Sequence, residues 1–306
     1  MKRQWLKYLC DPSDRTPLEI HKVAESEKDD IISGALRSKS GNFYEIKNGT
    51  PVLLTKNSQS IKSVDSFRYE WEQFDFDYGK GGWLKDVVRP VVGGLTFFKN
   101  KVVIDCGAGS GRQSRWIAEA GAKFIFCIEL SNSAHSVIKK VTKGYKDKVF
   151  IIQADISQIP IDPNKIDIDV IYCTNVIQHT RNSAKTLVEL SKLMNKKSRM
   201  MFNIYLARGK RTILFVLKFL RIVVKRLPFV LLKLLSFVLA IICLPFNRFM
   251  RFGRSFKEIW LNFYDILGSH EYQEFYTEEH LADILENANL RIIKRSRYVF
   301  LLKRRI

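Results

Sequence analysis

The chain has 306 residues, 46% hydrophobic and 27% charged, a balance that excludes both wholesale disorder and a polytopic membrane protein. That length accommodates one large domain with an appendage. A formal net charge of +20 asks for an anionic partner, either nucleic acid or an acidic lipid surface.

Residues 1–60 alternate short apolar runs with turn residues. LEIHKV is followed by GNFYEIKNGTPVLL, in which Asn48-Gly49 is a turn signal and Pro51 opens an extended run. A small β-rich cap is predicted. The opening MKRQWLKYLCDPSD has no apolar run of signal-peptide length, so a cytoplasmic protein is expected. Cys10, Cys106, Cys127, Cys173 and Cys243 are scattered without a CxxC pair and read as buried, reduced thiols. Residues 66–83, SFRYEWEQFDFDYGKGGW, put Phe67, Trp71 and Phe74 at helical spacing, as in a helix on the core, a lid over a ligand, or both.

From Lys101 strands and helices alternate. KVVIDCGAGSG is an apolar strand running into glycines, and RQSRWIAEAGA is helical. FIFCIELS, VFIIQADI, IDVIYCTNV and RMMFNIYLA read as strands, with SAHSVIKKVTKGY and TLVELSKLMN as helices between them. Short connections in this order predict a parallel sheet flanked by helices. Near the end, TEEHLADILENANL is a helix opening at Thr277, followed by the β-like LRIIKR and YVFLLKR.

Gly107, Gly109 and Gly111 form GxGxG, a loop through which backbone N–H groups can approach a polar or anionic group closely. The dinucleotide pattern GxGxxG needs a glycine where Arg112 stands, which speaks against NAD or FAD. Asp105 lies two residues before the first glycine, Glu129 ends the next strand, and Asp155 follows the third in QADI.

This set resembles class I S-adenosyl-L-methionine (SAM)-dependent methyltransferases, particularly the methyltransferase type 11 group, over about residues 66–206 and again from 272 onward. The resemblance implies an α/β fold with a Rossmann-like seven-stranded sheet of order 3-2-1-4-5-7-6, strand seven antiparallel. The runs at 290–295 and 298–303 suit strands six and seven. It also implies that Asp105 orients the loop or the methionine amino group, and that Gly107, Gly109 and Gly111 admit that moiety. Glu129 holds the ribose, Asp155 with Ile156 frames the adenine, and Asn175 faces the cofactor. Ala108 and Leu130 complete the cofactor set.

The cap resembles the zinc-ribbon segment preceding many small bacterial methyltransferases, which reads LLxCPxC and then CxxCGxxYPIxxGIPxLL. Here only Cys10 remains, with Ser13, Ser38 and Ser40 near the other ligand places. One thiolate cannot hold a structural zinc, which takes four ligands, so a metal-free cap is expected. Asn195-Lys196-Lys197-Ser198 replaces the Pro-Gly-Gly turn of many relatives.

Methyl transfer from a sulfonium is an in-line displacement that needs positioning, plus a base when the acceptor is a hydroxyl. By family analogy His179 is the candidate base; alternatively it caps or packs. Tyr205, Asp265, His270 and Tyr272 border the insertion and are further candidates. A nucleic-acid acceptor is disfavoured. The fourth strand ends in TNVI, without the Asn/Asp-Pro-Pro-aromatic tetrad for an exocyclic amine, and no Pro-Cys nucleophile occurs.

Between Ala207 and Lys257 lie twelve Lys or Arg and no acid, around FVLLKLLSFVLAIICLPF at 229–246. Basic residues beside an apolar run attract anionic headgroups, each worth about 1 kcal/mol. Residues 212–227, with Lys218, Arg221 and Lys225 on one face, suggest an amphipathic interfacial helix broken by Pro228. A buried helical lid is the alternative. The divisions expected are a cap (1–60), a SAM-binding core (61–206), an insertion (207–270) and the completion of the core (271–306). The function expected is methyl transfer to a small-molecule or lipid-linked acceptor at an anionic membrane surface. The rival is a non-catalytic, membrane-bound interaction module.

Overall fold

The computed structural model describes residues 1–56, 58, 79–131, 136–206, 221–222, 224, 227–247, 255–264, 266–267, 272, 274–297 and 299–305. Phe67, Trp71 and Phe74, most of 212–227, and the candidates Asp265 and His270 lie outside the described residues.

The cap contributes a 3-10 turn, Arg3–Tyr8, and four antiparallel strands: β1 Leu18–Glu27, β2 Asp30–Ser38, β3 Phe43–Lys47 and β4 Thr50–Leu53. The core strands are β5 Val102–Cys106, β6 Phe124–Glu129, β7 Val149–Ala154, β8 Val170–Cys173 and β9 Arg199–Phe202. After β10 Tyr205–Leu206 and β11 Phe275–Tyr276 come β12 Leu290–Arg295 and β13 Phe300–Arg304. Helices are α1 Arg112–Glu119, α2 Val137–Val141, α3 Ser183–Lys192, α4 Phe229–Cys243, α5 Phe256–Tyr264 and α6 Glu278–Asn287.

The core strands run β7-β6-β5-β8-β9-β13-β12, with β13 antiparallel to β9. This is the expected order 3-2-1-4-5-7-6, a Rossmann-like methyltransferase sheet. Alternation along each strand divides the core between two faces. Phe126 and Ile128 of β6 face α3 and α6, whereas Ile125 and Cys127 face α1 and α2. Asn182 caps α3 by accepting the Lys185 N–H at 2.8 Å, and Thr277 caps α6 from the His280 N–H at 3.1 Å.

The cap strands extend the same sheet. β4 pairs in parallel with β7, Val52 against Gln153 and Leu53 against Ala154. Trp5 is buried against the sheet face, stacked on Phe150 at 5.3 Å and edge-on to Phe124 and Phe126. Polar residues of the cap are engaged in hydrogen bonds. Buried Asp11 accepts from the Ser13 N–H, Asn42 and Tyr44, and the Ser38 and Ser40 hydroxyls pair at 2.7 Å. Among the described residues no His, Cys, Asp and Glu group could hold a metal ion.

The insertion leaves and rejoins the core at one place, because β10 pairs in parallel with β11. Pro228 stands at the N-cap of α4, as its missing N–H permits. α4 rests on α5 through Leu232 and Ala240, packed on Tyr264, Ile259 and Phe263. Its other side is open: Val230, Leu231, Leu234, Val238, Ile241 and Ile242 are exposed, while Phe237 at its margin packs edge-on to Phe256 and Trp260. No helix among the described residues is long and apolar enough to cross a membrane.

Candidate cofactor and acceptor site

Parallel strands bring their carboxyl ends to one crevice, and the sequence puts its polar residues there. β5 delivers Asp105 and then the glycine loop, in which Gly107, Gly109 and Gly111 have φ of 70°, 55° and 77°. That left-handed region is costly for residues bearing a Cβ. Two of these glycines are also required by packing. A Cβ on Gly107 would lie 2.6 Å from a Val176 methyl, and one on Gly111 2.7 Å from an Ile138 methyl. Sequence reasoning ascribed the glycines to close approach of a ligand; at these two positions the close approach is made by the protein's own side chains.

Asp105 is buried beneath the loop, where its carboxylate accepts from the Ser114 hydroxyl of α1. Burial pushes its pKa up to about 7; the Ser114 hydrogen bond opposes this and the charge of Glu129 adds to it. Glu129, at the end of β6, accepts the Gly109 N–H on one oxygen and the Ser131 N–H on the other, each at 2.8 Å. An ionised carboxylate offers about four lone-pair sites, so two remain for a vicinal diol. Leu130 follows directly, its carbonyl accepting from Gln153 Nε2 at 3.0 Å.

Asp155 directly follows β7 and caps the 3-10 turn Ile156–Gln158, accepting the Ser157 N–H and hydroxyl at 2.8 and 2.7 Å. Ile156 is buried beside it, and Ala108 is buried in the loop. Asn175 follows β8 at φ 61° and forms a reciprocal pair with Asn203, beyond β9. Asn175 N–H donates to Asn203 Oδ1 at 2.5 Å, and Asn203 Nδ2 donates back to Asn175 Oδ1 at 2.7 Å. Asn203 was not singled out in the sequence, although its place two residues before Tyr205 puts it at a strand end. The crevice thus gathers Asp105, the glycine loop, Glu129, Asp155 and Asn175 at the ends of four adjacent strands.

His179 lies at the end of a 3-10 turn, Ile177–His179, after β8. Its Nδ1 is 3.2 Å from the Tyr272 carbonyl and its ring is edge-on to Tyr205 at 5.7 Å. A carbonyl only accepts, so Nδ1 carries the proton in this contact and Nε2 the lone pair. Two of the further candidates, Tyr205 and Tyr272, are therefore brought to His179. Gln178 was not anticipated: it is fully buried, and among the described residues neither amide atom has a hydrogen-bond partner.

A family model described as a methyltransferase domain matches residues 84–295, more than two thirds of the chain. The chain belongs to this methyltransferase domain family. Protein arginine N-methyltransferase 1 of Oryza sativa subsp. indica is 36% identical over 92 residues, covering 28% of this chain and 24% of that protein. The probable histone-arginine methyltransferase CARMER of Drosophila melanogaster is 27% identical over 169 residues, covering 52% and 31%. The chain spans about a quarter to a third of the length of these relatives. Among solved structures, magnesium protoporphyrin IX methyltransferase from Synechocystis PCC 6803, with SAH bound, is 14% identical with a TM-score of 0.41. That alignment covers 68% of this chain and 75% of the other.

As a class I methyltransferase the chain uses SAM as its cofactor. The residues present suit it: Glu129, with two of its acceptor sites taken by loop amides, matches the vicinal hydroxyls of an adenosyl group. Bound SAM supplies an activated methyl group on a sulfonium.

Proposed function

We propose that this methyltransferase acts on a small or lipid-linked acceptor at the cytoplasmic face of a membrane. The observation behind it is the open face of α4. Six large apolar side chains face outward along one helix stripe, in a segment whose flanks carry eleven basic residues and no acid. Burying each such side chain gains about 1.5–3 kcal/mol, so the stripe holds on the order of 10 kcal/mol of unused burial. Basic flanks add attraction to anionic headgroups.

In this reading Glu129, with Leu130, holds the ribose, while Asp155 with Ile156 frames the adenine. Asp105, Gly107, Ala108, Gly109 and Gly111 shape the methionine side, and Asn175 borders it. His179 Nε2 takes the proton from an acceptor hydroxyl, while the Tyr272 carbonyl fixes the ring.

The similarity to arginine methyltransferases favours a second reading, a protein side chain as acceptor. Incubation with methyl-labelled SAM and a mixed extract of membranes and soluble protein separates the two. Label in the organic phase, lost in His179→Ala, is the expected result. Label confined to protein sinks the lipid reading.

A further inference from the structure

A second concave site lies at the opposite pole of the sheet, where the cap meets the core. It is a cavity of about 170 Å³ whose floor is apolar, formed by Trp5 and by Val149, Phe150 and Ile151 at the start of β7. The carboxyl end of that same strand leads to Asp155, so the strand's length separates this cavity from the cofactor crevice.

The core wall carries Lys139 on α2, Lys143 at the start of the 3-10 turn Lys143–Tyr145, and Lys146 directly after it. Among the described residues no carboxylate lies within ion-pair distance of any of the three. Lys2 also lines the cavity, but Asp147 engages it. The cap wall supplies one acid, Asp30, together with Asn48 and Gly49 of the β3–β4 turn.

Lys139 reaches across the seam. Its Nζ is 3.6 Å from where a Cβ on Gly49 would stand, so the amine sits over the cap's turn. It is half-buried there, and burial pushes its pKa below the ordinary lysine value, with Asp30 only partly opposing. One acid, Asp30, faces Lys139, with Lys143 and Lys146 exposed beside it, so the cavity's lining carries more positive than negative charge.

We infer that this cavity binds a phosphate-bearing ligand, its anionic group held by Lys139, Lys143 and Lys146 and its remainder lying on the Trp5–Phe150 floor. Lysine ammonium groups accept phosphate oxygens from several directions as point charges, which suits a site of three flexible amines better than a fixed fork. The phosphate belongs either to a free metabolite or to a lipid headgroup.

The test is calorimetric titration of the full chain with pyrophosphate at constant ionic strength. One-site binding is expected, weakened about tenfold in Lys139→Gln and nearly intact in Lys139→Arg. Lys196→Gln, an exposed lysine elsewhere, serves as the charge control and leaves the affinity unchanged. Should Lys139→Gln fold poorly, the exposed Lys143→Gln carries the same expectation. Wild-type protein that binds no pyrophosphate overturns the inference, and so does an equal loss in Lys139→Gln and Lys196→Gln. Flotation with phosphatidylglycerol vesicles identifies the source. Vesicle binding that falls in Lys139→Gln and is competed by pyrophosphate marks a headgroup; vesicle binding that ignores the substitution marks a soluble phosphate. SAM affinity stays unchanged in every variant.

Discussion

At the scale of single residues the buried Asp105 has the clearest consequence. Its folded pKa, raised to about 7 by burial, exceeds the ordinary aspartate value of about 4. Between those values the folded chain holds a proton that the unfolded chain has released, so stability falls as pH rises through this window. The wild type is expected to lose on the order of 2–4 kcal/mol relative to Asp105→Asn between pH 4 and 8. Denaturant titrations of both proteins at several pH values check this; parallel profiles contradict it. Much of this site was legible in the sequence, because acids one residue type deep at successive strand ends are a local pattern. The crossed pair Asn175–Asn203 was only half legible, since it depends on two strands lying side by side. The reason for Gly107 and Gly111 was hidden for the same cause: Val176 and Ile138 are distant in sequence.

Among the elements, α4 is the one whose surroundings the sequence could not give. Nearly every residue of Phe229–Cys243 is apolar, so periodicity carries no direction and either face could be the buried one. Packing on α5 makes the choice, covering Leu232, Ser236 and Ala240 and leaving Leu234 and Ile241 open. The two faces therefore respond differently to a polar substitution. Leu234→Ser on the open face is expected to lower binding to anionic vesicles severalfold and leave the melting temperature within about 2 °C. Leu232→Ser on the covered face is expected to cost about 2–5 kcal/mol and lower the melting temperature by several degrees. Equal vesicle binding by wild type and Leu234→Ser, measured by flotation, would remove the membrane reading of this helix.

For the molecule as a whole, the alternation of strands and helices from Lys101 onward predicted a parallel sheet flanked by helices, while the order of its strands followed only from the resemblance to class I methyltransferases. The attachment of the cap was not. Parallel pairing of β4 with β7 joins residues about a hundred positions apart, and no local signal in TPVL names its partner. Trp5 then locks the cap onto the sheet face through three aromatic contacts. Trp5→Ala is expected to cost about 3–5 kcal/mol and to shift a single unfolding transition, because cap and core share strands and core. Separate cap and core transitions in calorimetry would contradict that unity.

The most direct measurement is calorimetric titration of the wild type and Glu129→Ala with SAM. Glu129 binds two loop amides and keeps lone pairs for the ribose, so its loss removes both supports. The account predicts micromolar binding by the wild type and weakening of about a hundredfold or more in the variant. Well-folded wild-type protein that binds no SAM would contradict it.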